Sequence, residues 1–225
     1  MLVRIDDFPI GVAHHWAPHL WWDDTRDKCL EWIVPFEEND VDYILGVSPL
    51  LFNDGDSEFL NENIKKGRVV MHGFDHAFGI WTGNIMDTWP HGGEFSSLTY
   101  DILRYRYELC NSILQKIDSY DETHFIPPFN SFNQMLLDFL SKETKVRILH
   151  GEKTFFETYL SGIGLVFPDN IDFVTTKQDI DYADIDVVID NIDIIEHPTL
   201  HWHFDYHSGK IGQYETFAKM LKDLK

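Results

Sequence analysis

Short β-rich runs alternate with longer helical patterns from one end of this chain to the other. That alternation constrains the fold more than any other feature. Parallel strands cannot be joined by tight hairpins, so each needs a crossover, and a helix is the usual one. Strand candidates lie at 2–5, 42–47, 68–72, 124–126, 146–150 and 172–175, with a last one inside 194–204. Helical patterns fall between them at 24–37, 57–66, 98–120, 131–141 and 211–224. The expectation is an α/β fold, with a parallel sheet closed or wound and helices outside it. No repeat, low-complexity tract or Pro/Gly-rich linker breaks the pattern, so residues 1–225 read as a single domain. On the longest helical pattern, Ile102, Tyr105, Leu109, Ile113 and Ile117 recur at helical spacing and form the expected core face. On the pattern at 24–37 that face is Cys29, Leu30, Ile33 and Val34.

Charge narrows the partners. The chain holds 18 basic and 38 acidic residues, a net charge of −20. Nucleic acids and anionic membrane surfaces are bound through clusters of Lys and Arg, so this balance argues against both. It does not disfavour a neutral glycan, and an aromatic content of 15% with seven Trp suits sugar rings as well as a core. No apolar run reaches the roughly 18–20 residues that span a bilayer. Arg4 and Asp6 stand where the apolar part of a signal peptide would lie, so the expectation is a cytoplasmic protein. Cys29 and Cys110 form neither a metal spacing nor a disulfide framework, which fits a reducing compartment.

In parallel α/β folds the functional groups gather at the C-terminal ends of the strands. Asp6-Asp7, His72, Pro127-Pro128, His150 and a final His cluster at 201–203 all fall there. Adjacent carboxylates repel one another and are costly to desolvate, and a metal ion or a catalytic proton makes such a pair useful. His72 and His76 have the H-x-x-x-H spacing that lets two imidazoles share one ion, and Gly73 permits a sharp turn between them. One Asp with two His is a common open metal site. Asp7 completes it, and Asp6 is left to act as a base.

These residues resemble a known family. Ile5-Asp6-Asp7-Phe8-Pro9 looks like the Asp-Asp motif of the polysaccharide deacetylase superfamily (NodB-homology, carbohydrate esterase family 4 and relatives). Gly67-Arg68-Val69-Val70-Met71-His72-Gly73-Phe74-Asp75-His76 looks like its H-x-x-x-H motif. Gly93-Glu94-Phe95 and Phe125-Ile126-Pro127-Pro128-Phe129-Asn130 resemble a divergent branch. The resemblance implies a distorted (β/α) barrel of about seven parallel strands, one divalent metal, usually zinc, and hydrolysis of an N-acetyl group from an amino sugar. Asp6 matches the catalytic base, and Asp7, His72 and His76 match the metal ligands. The resemblance also implies a histidine at the end of the last strand as general acid. His203 is the first choice, His201 the second and His197 the third. The family's usual third-motif Arg, which tunes the base, has no counterpart in Phe125-Ile126-Pro127-Pro128. Asp169, Asp172 and Asp205 are candidates to steady the acid.

Around this centre, Pro128 and Asn130 are assigned to the substrate side, with Pro127-Pro128 as a rigid turn shaping the pocket wall. Glu94 is a candidate for substrate hydroxyls, or else a carboxylate favoured at a helix start. Trp16 is a candidate to stack on a sugar, or else packs in a core or lid. His14, His15 and His19 form a further His-rich run, read as a solvated or substrate-lining loop, with a second metal site as the alternative. The expected activity is therefore metal-dependent carbohydrate N-deacetylation. The alternatives are another C–N or glycosidic hydrolase on the same barrel, and a glycan-binding module that has lost turnover.

Overall fold

The structure, a computed structural model, describes residues 2–9, 25–76, 93–95, 98–152, 164–176, 199–203 and 211–223. Trp16, the His-rich run, His197 and Asp205 lie outside them. Strands β1 (Leu2–Phe8), β2 (Tyr43–Val47), β3 (Arg68–His72), β4 (Tyr120–Ile126), β5 (Ile148–Glu152), β6 (Asp172–Thr176) and β7 (Thr199–His203) form one sheet, ordered β6-β5-β4-β3-β2-β1-β7. Every pairing is parallel. The sheet curls into a half-barrel. Helices α1 (Thr25–Glu38), α2 (Asp56–Asn63), α3 (Tyr100–Leu114) and α4 (Gln134–Glu143) lie between the successive strands β1 to β5, and α5 (Ile211–Asp223) follows β7.

Strand alternation sorts the side chains into two environments. Val3, Ile5, Leu45, Val47, Val69, Met71, Phe125 and Leu149 belong to the main core, under the helices. Phe36 of α1 meets Phe217 of α5 edge-on there, and Tyr107 of α3 meets Phe139 of α4. Burying such a side chain stabilises the fold by about 1.5–3 kcal/mol each. The opposite, concave face has a much smaller apolar cluster, of Ile44, Val70 and Ile126. The other buried positions in step with that cluster are polar or lack a side chain: Arg4, Asp6, Gly46, His72, His124 and His150. A face lined this way gains less from apolar burial than the face under the helices.

Local sequence sets the helix starts. The Thr99 hydroxyl accepts from the Ile102 N–H ahead of α3, and the Asn133 side chain accepts from the Leu136 N–H ahead of α4. The face of α3 differs from expectation. Leu103, Tyr107, Cys110 and Leu114 are buried, whereas Ile102 is 44% exposed, Tyr105 66% and Leu109 39%. Apolar residues occupy two adjacent stripes of this helix, and periodicity alone does not choose between them. The helix also stops at Leu114, not 120, because Ile117 and Tyr120 bond back onto Leu114 and Ile117 in tight turns that lead into β4. On α1, Val34 is exposed while Trp32 and Phe36 join Cys29 and Ile33 in the core.

Candidate metal centre

The first strand does not end at Ile5 but continues to Phe8, with an irregularity where Asp6 and Asp7 stand. Ile5 pairs with Leu45 and Phe8 with Val47, so three steps on β1 match two on β2. This is a β-bulge. In a regular strand the two carboxylates would point to opposite faces. Asp7 instead takes φ 79°, a left-handed conformation that Asp tolerates better than most residues. Both carboxylates are thereby buried at the top of the concave face.

Across β2, strand β3 delivers His72 and the loop behind it delivers His76. His72 Nδ1 lies 3.2 Å from the Ile126 carbonyl oxygen, which can only accept. Nδ1 therefore donates there, which leaves Nε2 as the ring atom facing Asp7. That Nε2 is 2.9 Å from Asp7 Oδ1, and His76 Nε2 is 3.1 Å from the same oxygen. Ligand atoms of all three residues lie within 4.8 Å of one another. Ligands held about 2.0–2.2 Å from one ion sit roughly 3 Å apart, so this donor set fits a divalent cation.

The loop from His72 to His76 is held by residues outside this donor set. Gly73 has φ 64°, and a Cβ on it would lie 2.1 Å from Glu94 Oε2 and 2.3 Å from Pro128 Cγ. Glu94 Oε1 accepts from the N–H groups of Phe74 (2.9 Å) and Asp75 (3.1 Å). Burial, and then the neighbouring Asp75 charge, hold the Glu94 carboxyl well above the usual carboxylate range. Asp75 in turn pairs with Arg106 of α3 at 3.1 Å. Phe129 closes the outer side, its ring centroid 4.3 Å from that of His76.

Strand β2 and the residue that follows it, Ser48, are outside the donor set but hold both neighbouring strands. The Ser48 N–H donates to the Phe8 carbonyl at 2.9 Å, and its hydroxyl donates to the His72 carbonyl at 2.9 Å. Gly46 leaves room for Asp6, because a Cβ there would lie 2.9 Å from Asp6 Oδ1.

Asp6 does not share the ligand cluster. Its Oδ2 is 3.1 Å from Arg4 Nη2, with both side chains out of contact with solvent. The same Nη2 reaches Asn130 Oδ1 at 3.2 Å. Deeper in the half-barrel, His124 Nδ1 and His150 Nε2 are 2.8 Å apart, and His124 Nε2 is 3.2 Å from Arg68 Nη1. Burial, and then the Arg4 charge, keep the His150 pKa well below the usual histidine value; burial does the same, less strongly, for His124.

No family model and no curated protein matches this chain by sequence. Solved structures do match. A family 4 carbohydrate esterase pseudoenzyme from Bacillus anthracis aligns with a TM-score of 0.56 at 13% identity, over 100% of this chain and 61% of that one. A family 4 acetyl xylan esterase from Clostridium thermocellum, in complex with a cobalt ion, aligns with a TM-score of 0.56 at 11% identity, over 100% of this chain and 84% of that one. A peptidoglycan N-acetylglucosamine deacetylase aligns with a TM-score of 0.52 at 12% identity, over 99% of this chain and 81% of that one.

The chain has the fold of the family 4 carbohydrate esterases.

Within this esterase fold, β7 lies beside β1, with Asp6 in register with His203 and Arg4 with His201. Both candidate acids are thus on the strand next to the Asp pair. Asp169 and Asp172 are exposed residues at or near the start of β6. Pro128 is buried against Gly73, and Asn130 carries a contact to Arg4. Sequence reasoning missed Arg4, Gly46 and Ser48. Only Arg4 left a readable signal: it stands two residues before Asp6 on a strand, hence on the same face. Among the described residues no helix is long and apolar enough to cross a membrane.

Proposed function

We propose that this chain is a metal-dependent hydrolase that removes an N-acetyl group from an amino sugar. The observation that carries this reading is the convergence of Asp7, His72 and His76, with a separately held, buried carboxylate at the adjacent Asp6. Asp7, His72 and His76 would hold one divalent ion, zinc by the character of the donors. When bound, such an ion polarises an acyl carbonyl and acidifies a water molecule. Asp6, tied to Arg4 rather than to the ligand cluster, takes a proton from the attacking water. His203, level with Asp6, gives a proton to the leaving amine, which departs poorly as an anion; His201 is the alternative donor. Pro128, Asn130 and Trp16 belong to the substrate side. The sugar reading is supported by the N-acetylglucosamine deacetylase and the xylan esterase among the similar structures.

A second reading, a glycan-binding module without turnover, is favoured by the absence of Arg from 125–128 and by the pseudoenzyme among the similar structures. One assay separates the two. Acetate release is measured from a panel of N-acetyl sugars with zinc-loaded protein, alongside Asp6→Asn. Release by the wild type and its loss in Asp6→Asn supports the hydrolase. Sugar binding without acetate from any member supports the module. Release of sugar or ammonia in place of acetate would point to a glycosidic or other C–N hydrolase.

A further inference from the structure

Arg4 Nη2 makes two contacts, a hydrogen bond and an ion pair. It donates to Asn130 Oδ1 at 3.2 Å and pairs by charge with Asp6 Oδ2 at 3.1 Å. The guanidinium is planar and rigid, so the bond to Asn130 fixes where its charge stands against Asp6. Nε and Nη1 of Arg4 have no hydrogen-bond partner among the described residues, so its polar contacts pass through this single nitrogen. The two partners come from distant parts of the chain. Asp6 is two residues along β1 from Arg4, whereas Asn130 is 126 residues away, at the end of the 3-10 turn Pro128–Asn130. Phe129 and Asn130 both adopt left-handed backbone, φ 57° and 53°, and this conformation brings the Asn130 side chain over β1. Such conformations cost about 1–3 kcal/mol each and persist where the surroundings require them.

We propose that Arg4 and Asn130 form a two-point clamp that fixes the Asp6 carboxylate for proton abstraction, making both of them positioning residues. This inference rests on the reading of Asp6 as the base. It moves Asn130 from substrate contact to the support of a catalytic group. It also provides an Arg next to Asp6 from its own strand, with none in 125–128.

The test uses Asn130→Gly in the zinc-loaded protein. Glycine accepts φ 53° without strain, so the substitution removes the amide and leaves the turn. A misplacement of a catalytic group costs up to about 100-fold, and the expected fall in kcat is about tenfold with KM unchanged. In the Asp6→Asn background the same substitution should cause no further loss. Arg4→Lys keeps the charge but not the planar fork, so its kcat should also fall. An equal fractional loss in both backgrounds, a rise in KM alone, or full activity in Arg4→Lys would overturn the clamp. A readout independent of turnover is nitrogen NMR of the Arg4 guanidinium. Its Nη signals should be resolved, with slow rotation, in the wild type and averaged in Asn130→Gly. Free rotation in the wild type overturns the clamp whatever the kinetics show. Resolved signals together with full turnover in Asp6→Asn would keep the clamp and discard Asp6 as the base.

Discussion

Gly46 stands directly against Asp6, with space for a hydrogen and not for a methyl group. A Cβ at 46 would lie 2.9 Å from Asp6 Oδ1, 3.1 Å from Ile126 Cδ1 and 3.2 Å from His72 Cβ. Gly46→Ala should destabilise the fold by about 1–3 kcal/mol through overpacking. It should also cost turnover beyond what the lost stability explains, because Asp6 is among the atoms displaced. Denaturant midpoints and kcat, measured on the same preparation, check both.

Glu94 grips the loop that carries His76. Glu94→Ala removes the acceptor for the Phe74 and Asp75 N–H groups. Loss of such outer support typically weakens metal binding about 10- to 100-fold. Glu94→Gln keeps an accepting oxygen and removes a carboxyl that burial already disfavours as an anion, so it should bind metal nearly as the wild type does. Competition with a chelator of known affinity gives both numbers.

Ser48 is buried, and its hydroxyl bonds to the His72 carbonyl. Ser48→Ala leaves a buried carbonyl short of one donor and should cost about 1–3 kcal/mol. Equilibrium unfolding measures this, with Ser48→Thr as the variant that retains a hydroxyl.

The His124–His150 pair gives stability a defined acid dependence. Both pKa values are lowered in the folded protein, whereas in the unfolded chain histidine titrates near about 6.5. Below that pH the unfolded chain binds more protons than the folded one, so stability falls as pH falls. Above it the pair has no such effect. Metal-free wild type should therefore lose stability below pH ~6.5 more steeply than the double variant His124→Leu/His150→Leu. Parallel slopes for the two proteins would show that the pair does not titrate in this way.

The strand–helix order could be read from sequence because each element is short and bounded by polar or turn residues. Arg68–His72 matches its expected bounds, and the others shift by one to a few residues. The ligand set could be read because Asp, His and His are a chemically narrow combination. What could not be read depended on partners far along the chain. The face of α3 is chosen by α4 and the sheet, not by its own apolar spacing. The bulge at Asp7 follows from register against β2, and no residue between Ile5 and Phe8 announces it. Arg4 was visible as a charge in an apolar strand, but its hydrogen-bond acceptor, Asn130, is supplied by a turn more than half the chain away.

Asp7 lies on β1 and His72 on β3, with all of β2 between them. The gap across which an ion would be gripped is therefore set by two successive strand pairings, not by any local loop. No excised hairpin or peptide of this chain could reproduce it. Affinity for the ion becomes a gauge of whether three strands have assembled in the correct register. By mass action, an ion bound there would hold together segments 65 residues apart in the chain, acting as a tie-bar for the sheet before any substrate arrives.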